Sequence, residues 1–254
     1  MTSWLLAISG LLGLSVGSFL NVCIYRVPLG KSLLWPASHC PSCGHPLKWF
    51  DNVPVAGWLK LGGRCRFCRD RISVVYPLVE ALTGVMFVWA AWQYGLGWLL
   101  VSRLLFGCAL IVLFFIDLEH RILPNVITLP GTVIGFVFSV VNPPGWTSSL
   151  IGLLIGGAIP LAVAWTYEKV RGVEGLGMGD VKMLALIGAF LGWQQVLLTL
   201  VLGSFMGSIV GLPLAIRQRD MKASMPFGTF LAIAAMIAAG WGDDILRWYL
   251  GFYR

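Results

Sequence analysis

Charge is scarce in this chain. Only 11% of its 254 residues are Asp, Glu, Lys or Arg and 58% are hydrophobic, whereas an ordinary soluble domain carries about 25% charged residues. Such a chain is not built to meet water on all sides, which excludes a soluble globular protein. Histidine is rarer still: there are three, none inside an apolar segment. The sequence also contains no HExxH, which removes the zinc-protease reading. Lys and Arg are absent before Arg26, and no small-residue cleavage site closes the first apolar stretch, Trp4 to Tyr25. That stretch therefore reads as a retained helix, not a removable signal peptide.

What the chain has in quantity is long apolar runs, most of them able to cross a hydrocarbon core of about 30 Å as a helix. Eight segments can be drawn, at 4–25, 77–94, 98–117, 126–141, 149–167, 180–193, 195–216 and 228–241, the sixth and eighth being short for a full span. If all cross, loops 26–76, 118–125, 168–182 and 217–227 share one side. Of 18 Lys and Arg residues, 15 fall in those four loops, and the others are Arg103, Arg247 and Arg254. The positive-inside rule places the loops in the cytoplasm. The net charge of +7 is thereby explained by topology and anionic lipid, not by nucleic acid. The predicted fold is an all-α polytopic membrane protein of about eight transmembrane helices. A first helix occupies 1–25, a small cytoplasmic domain 26–76 and a membrane domain 77–254.

Loop 26–76 is rich in Cys, Pro, Gly and Arg and has too few aliphatic residues for a core, so it requires a staple. Cys40-Pro-Ser-Cys43 and Cys65-Arg-Phe-Cys68 supply one: two CxxC pairs separated by 21 residues, close to the spacing of structural Zn2+ sites. Disulfides are the competing reading, and a cytoplasmic location argues against them. His39 and His45 flank the first pair and could substitute as ligands, although four thiolates suffice. Cys23 and Cys108 lie in apolar segments as small packing residues.

The chain has eleven acidic residues. Asp51, Asp70, Glu119, Glu168, Glu174, Asp220, Asp243 and Asp244 read as solvated surface. Glu80, Asp117 and Asp180 lie at or inside apolar segments, where a carboxylate costs roughly 2.5–3.5 kcal/mol and is a functional candidate by default. Asp117 ends the run Leu110 to Ile116, and Asp180 opens the sixth segment, both at the cytoplasmic end. Two carboxylates at matching depth on different helices can share one proton, one activating water while the other protonates the carbonyl or the leaving amine. The alternatives are a helix N-cap for Asp180 and ion pairs with Lys182 or Arg121. For Glu80 a structural pairing with Arg103 is preferred to a catalytic role.

Gly175, Gly177 and Gly179 precede Asp180. Without Cβ atoms, this loop can approach an extended substrate strand and bond its main chain. A phosphate-loop reading fails, because no strand precedes the run and GxGxGD is not GxxxxGK[ST].

These residues together resemble the type IV prepilin leader peptidases, and more distantly the presenilin-like GxGD intramembrane proteases. The resemblance covers nearly the whole chain. It runs through Gly17-Ser-Phe-Leu-Asn-Val-Cys-Ile-Tyr-Arg-Val-Pro28, the two CxxC pairs with Tyr76-Pro-Leu-Val-Glu80, Asp117-Leu-Glu-His-Arg-Ile-Leu-Pro124, and the GxGxGDxK motif from Gly175 to Lys182. Pro226-Phe-Gly-Thr-Phe-Leu231 is similar to a PFGPFL box, with Thr229 where Pro is usual, a departure expected to lie away from the Asp pair. The resemblance implies an aspartic endopeptidase of the bacterial inner membrane with catalytic Asp117 and Asp180. Its implied substrates are type IV prepilins or pseudopilins, cut between a basic leader and an apolar helix at the cytoplasmic face. It implies further an N-methyltransferase activity using S-adenosylmethionine, for which the residues themselves show no nucleotide fingerprint. Glu119, Glu168 and Glu174 are candidates to receive the basic leader. A proton-coupled transporter using the same Asp pair is the rival, disfavoured because both Asp lie at helix ends and no inverted repeat is apparent.

Overall fold

The structure is a computed structural model and describes residues 3–172, 176–218 and 226–251. Among them there is no β-strand, and outside the 27–74 segment the backbone runs mostly as helix. The elements are α1 (Ser3–Arg26), α2 (Ala56–Lys60), α3 (Val75–Tyr94), α4 (Trp98–His120), α5 (Asn125–Ser139), α6 (Trp146–Arg171), α7 (Met178–Leu191), α8 (Trp193–Gln218) and α9 (Phe227–Gly251). Six are long and apolar enough to cross a membrane: α1, α3, α4, α6, α8 and α9. The eight predicted apolar segments thus correspond to eight helices, but α5 and α7, with 15 and 14 residues, are shorter than a span. The last segment is longer than the sequence indicated. Its helix is 25 residues long and continues past Trp241 through Asp243 and Asp244, where Gln195 Nε2 donates to Asp243 Oδ1 at 2.6 Å and takes up one of those charges.

The chain divides into two compact units, Met1–Leu100 and Val101–Arg254. In the first, α1 lies against α3 at very close range. A Cβ on Gly13 would stand 2.9 Å from the Gly84 Cα, and one on Gly17 would stand 2.7 Å from the Glu80 Cα. Small residues four apart let membrane helices bring their backbones together, where no hydrophobic effect drives association. Asn21 uses the resulting contact to donate to the Tyr76 carbonyl at 3.0 Å.

In the second unit, α7 sits at the centre and is buried along nearly its whole length from Val181 to Leu191. Phe106, Leu110 and Leu113 of α4, Val196 of α8, and Leu231, Ala235 and Ala238 of α9 pack with it into one core. The α6 face toward α7 is Gly152-Leu-Leu-Ile-Gly156; a Cβ on Gly152 would fall 2.6 Å from the Gly188 carbonyl oxygen. Helix ends follow the local chemistry. Pro124 in extended conformation precedes α5, and Gly192 at φ 82° stops α7 before α8 begins at Trp193.

Candidate active site

Asp117 occupies the last turn of α4 and is only 4% exposed. The helix unwinds just beyond it at Arg121, whose N–H returns to the Asp117 carbonyl at 2.9 Å while its own φ is +56°. The chain then runs through Ile122 and Leu123 to the start of α5. Leu123 is the wedge of the site: Cβ atoms on Gly179 and on Gly228 would meet its side chain at 3.0 and 2.9 Å. The end of α4, the start of α7 and the start of α9 therefore converge on one place.

Asp180 lies in the first turn of α7, partly exposed, three residues after the N-cap Gly177. Its N–H donates to the Gly177 carbonyl at 3.1 Å, and its carboxylate interacts with the Gly177 N–H. That reach back to the cap resembles half of a capping box, but the N-cap itself is Gly177 and not Asp180. The two carboxylates lie within electrostatic reach of one another. Neither forms an ion pair with Lys182, whose Nζ donates instead to Asn125 Oδ1 at 2.8 Å and so ties α7 to α5. Gly177 and Gly179 flank the site; Gly175 and Glu174 lie outside the described residues, as does Asp220.

One expectation is overturned. Thr229 does not lie away from the Asp pair: its N–H and its hydroxyl both donate to Asp117 Oδ2, at 2.7 and 3.1 Å. Thr229 is the third residue of α9, where an N–H has no partner within the helix. A buried carboxylate is the natural acceptor there, and the positive end of the helix dipole favours its charge. Neighbouring Gly228 permits the approach, since a Cβ would stand 3.1 Å from the same Oδ2. The sequence signal for these residues was the Pro-Phe-Gly box itself; its distance of 112 positions from Asp117 hid the contact.

The cysteine module is built from two equivalent knuckles. In each, a residue at positive φ follows the second cysteine, Gly44 at 69° and Arg69 at 61°, and donates its N–H to the carbonyl of the first, Cys40 at 2.9 Å and Cys65 at 3.1 Å. The four Sγ atoms lie within 4.8 Å of one another, with Cys40–Cys68 at 3.8 Å and Cys43–Cys65 at 4.0 Å. All six cysteines are unlinked. Thiolates placed about 2.3 Å from one tetrahedral ion stand roughly 3.8 Å apart, so the cluster fits a metal ion. Backbone N–H groups of Cys68 and Phe67 draw the Cys65 thiol down to about 6, toward the thiolate that a metal requires. His39 and His45 are engaged elsewhere, His39 Nδ1 with the Ala37 carbonyl at 2.9 Å and His45 stacked on Phe67.

Arg66 pairs with Asp51, its Nε donating to Oδ2 at 3.0 Å, and Ser42 binds Asp70 across the two knuckles. The module is joined to α3 by Glu80, whose Oε2 accepts the Val55 N–H at 2.7 Å. Arg103 Nη1 donates to the Phe190 carbonyl at 3.5 Å. Val55 has φ 60° and ψ −52°, and the Ala56 N–H closes on the Pro54 carbonyl at 2.6 Å. This is a γ-turn of the rare positive-φ type, strained for a β-branched residue, and Glu80 holds it.

Within the second unit, two carboxylates stand at the ends of separate helices next to a glycine turn, the arrangement expected of an aspartic site. The comparisons with known proteins agree with that class. Residues 11–94 match the bacterial peptidase A24 N-terminal domain, and residues 104–212 match the type IV leader peptidase family. The chain is 38% identical to a prepilin leader peptidase/N-methyltransferase of Aeromonas hydrophila, over 94% of this chain and 92% of that one. It is 39% identical to a protein of the same name in Pseudomonas aeruginosa, over 95% and 92%. A Myxococcus xanthus protein of that name is 43% identical over 79% of this chain and 60% of its own length. No solved structure matches. The chain belongs to the type IV leader peptidase family.

Proposed function

We propose that this protein is a membrane aspartic endopeptidase that removes the basic leader of type IV prepilins or pseudopilins, with Asp117 and Asp180 as its catalytic pair. The observation that carries this reading is that the two carboxylates stand at helix ends within electrostatic reach of each other, with two hydrogen-bond donors of Thr229 on Asp117. Two close carboxyl groups share a proton. The ionised member takes a proton from water as that water attacks the scissile carbonyl, and the protonated member gives its proton to the carbonyl oxygen and then to the departing amine. Because the pair titrates as a unit, neither Asp is assigned one role. Gly177 and Gly179, with Gly175, form the loop along which an extended substrate strand lies, and Lys182 steadies it through Asn125.

The protein sits in the bacterial inner membrane with this site toward the cytoplasm, as the lysine and arginine distribution supports. A prepilin leaves its basic leader in the cytoplasm and its apolar helix in the bilayer, which puts the scissile bond at the depth of the Asp pair. Glu119 and Glu168, both exposed, together with Glu174, receive the leader's charge. The domains are a first helix at 1–25, a zinc-binding module at 26–76 held by Cys40, Cys43, Cys65 and Cys68, and a membrane peptidase domain at 77–254. Zinc closes a fold too small to hold itself together. N-methylation of the new amino terminus with S-adenosylmethionine is a second activity, supported by the relatives' names; no residue pattern of this chain marks a site for that donor.

The test is cleavage of a prepilin by purified wild type, Asp117→Asn and Asp180→Asn in detergent, read by mass spectrometry. Both variants should be folded and inactive, and turnover without any gradient distinguishes a peptidase from a transporter. Near wild-type cleavage by either variant would remove the dyad mechanism.

A further inference from the structure

We propose that the loop after α1, Ser32 to Pro36, is a membrane-interface anchor whose side chains lie among phospholipid headgroups and upper acyl chains. Leu33, Leu34 and Trp35 are consecutive and apolar, and they are 37%, 80% and 75% exposed. Three neighbouring apolar side chains displayed at a loop tip mark a binding surface, and several observations within this unit identify its occupant as lipid.

The first is position. Arg26, the last residue of α1, is buried, and its guanidinium donates Nη1–H to the Ser32 carbonyl at 2.9 Å and Nη2–H to the Pro36 carbonyl at 2.6 Å. Those two carbonyls bracket the apolar triplet. The N–H groups of Leu29 and Lys31 also return to the Arg26 carbonyl, at 3.2 and 3.1 Å. The tip is thereby fastened to the end of a membrane-spanning helix and held at the level where that helix leaves the bilayer.

The second is backbone satisfaction. Irregular backbone is excluded from lipid because its polar groups go unpaired there. Here the Leu34 and Trp35 N–H groups donate to Ser32 Oγ at 3.2 and 3.3 Å, and Arg26 covers the flanking carbonyls. With these groups paired inside the loop, the tip gives up fewer hydrogen bonds to water on entering the interface.

The third is chemistry. Trp and Tyr concentrate at the membrane–water boundary, where an apolar ring and a polar edge are both accommodated. Trp35 and half-exposed Tyr25 fit that boundary, and the Lys31 ammonium lies over the Tyr25 ring at 5.6 Å from its centroid. A lysine at this level attracts anionic headgroups. The anchor therefore sets the height of the cysteine module that follows it in the chain.

The experiment uses the full-length protein in vesicles of phosphatidylcholine, with and without phosphatidylglycerol. Benzoylphenylalanine is placed at Trp35, and separately at Leu34, and mass spectrometry identifies the photoproducts. Phospholipid adducts should dominate at both positions. Their yield should rise several-fold with phosphatidylglycerol and lose that rise in Lys31→Glu. Prepilin cleavage by each labelled protein establishes that it is folded. Adducts dominated by peptide, from this chain or a partner protein, or an absence of lipid adduct in an active protein, would overturn the anchor. A yield indifferent to phosphatidylglycerol would overturn the role of Lys31.

Discussion

The hydroxyl of Thr229 gives the sharpest test of the site. Thr229→Val keeps the shape of the side chain and the N–H bond to Asp117 Oδ2 but removes the hydroxyl that donates at 3.1 Å. A hydrogen bond of ordinary strength contributes about 1 kcal/mol net, and about 1.4 kcal/mol is tenfold in rate. Loss of this bond should therefore lower kcat/KM roughly fivefold. The bond is to a carboxylate, which argues for the upper end of its range. Against that, the related motif carries Pro at this position, which has neither N–H nor hydroxyl. A carboxylate that depended absolutely on these donors could not work beside a proline, so an effect of a thousandfold is excluded in advance. The assay is kcat/KM for prepilin cleavage in detergent, with thermal unfolding recorded in parallel. Thr229→Ser retains both donors and should stay within twofold of wild type. Wild-type activity in Thr229→Val, or equal losses in the Val and Ser variants, would show that packing and not hydrogen bonding governs this contact.

Three further outcomes follow from the first unit. Purified protein should carry one zinc per chain by elemental analysis, and chelation should open the 40–68 segment to protease, since metal binding and folding are coupled in a module without a core. Glu80→Ala strands the Val55 N–H beside a strained turn and should cost about 1–3 kcal/mol, read as a lowered Tm, whereas Glu80→Gln retains an acceptor and should lose less. The Arg66 guanidinium, with lesser help from Lys48 and Lys60, holds the Asp51 carboxyl below its usual range. A lowered carboxylate pKa gives stability that is complete above the unfolded value near 4 and is lost as pH falls through the folded one. The Tm difference between wild type and Asp51→Asn should accordingly be constant from pH 7 to about 5 and shrink toward zero below pH 4; a difference independent of pH would sever the link to this pair.

The parts of this architecture that were legible in the sequence are those encoded by scarcity. With eleven acidic residues in 254, a carboxylate at the end of an apolar run stands out, and so do four cysteines in two identical steps. Helix extent was less legible, because a hydropathy pattern stops at the first charges. Asp243 and Asp244 ended the last segment on paper, yet the helix continues, and Gln195 from α8 satisfies Asp243. The long-range contacts that fix each unit locally were not legible, and for one physical reason. Each joins a main-chain group to a side chain far away in sequence: Thr229 N–H to Asp117, Val55 N–H to Glu80, Asn21 to the Tyr76 carbonyl. Every residue but proline carries the same N–H and C=O, so the pattern of side chains cannot say which of them is left over at a helix start or a turn. What it does show is where such a group must exist. A helix whose first residues are Phe-Gly-Thr has orphan N–H groups by necessity, and in a chain with so few carboxylates the acceptors available to them are few. Counting orphan donors against scarce acceptors is therefore a stronger route to such membrane sites than motif spacing, and it leads from Thr229 directly to Asp117.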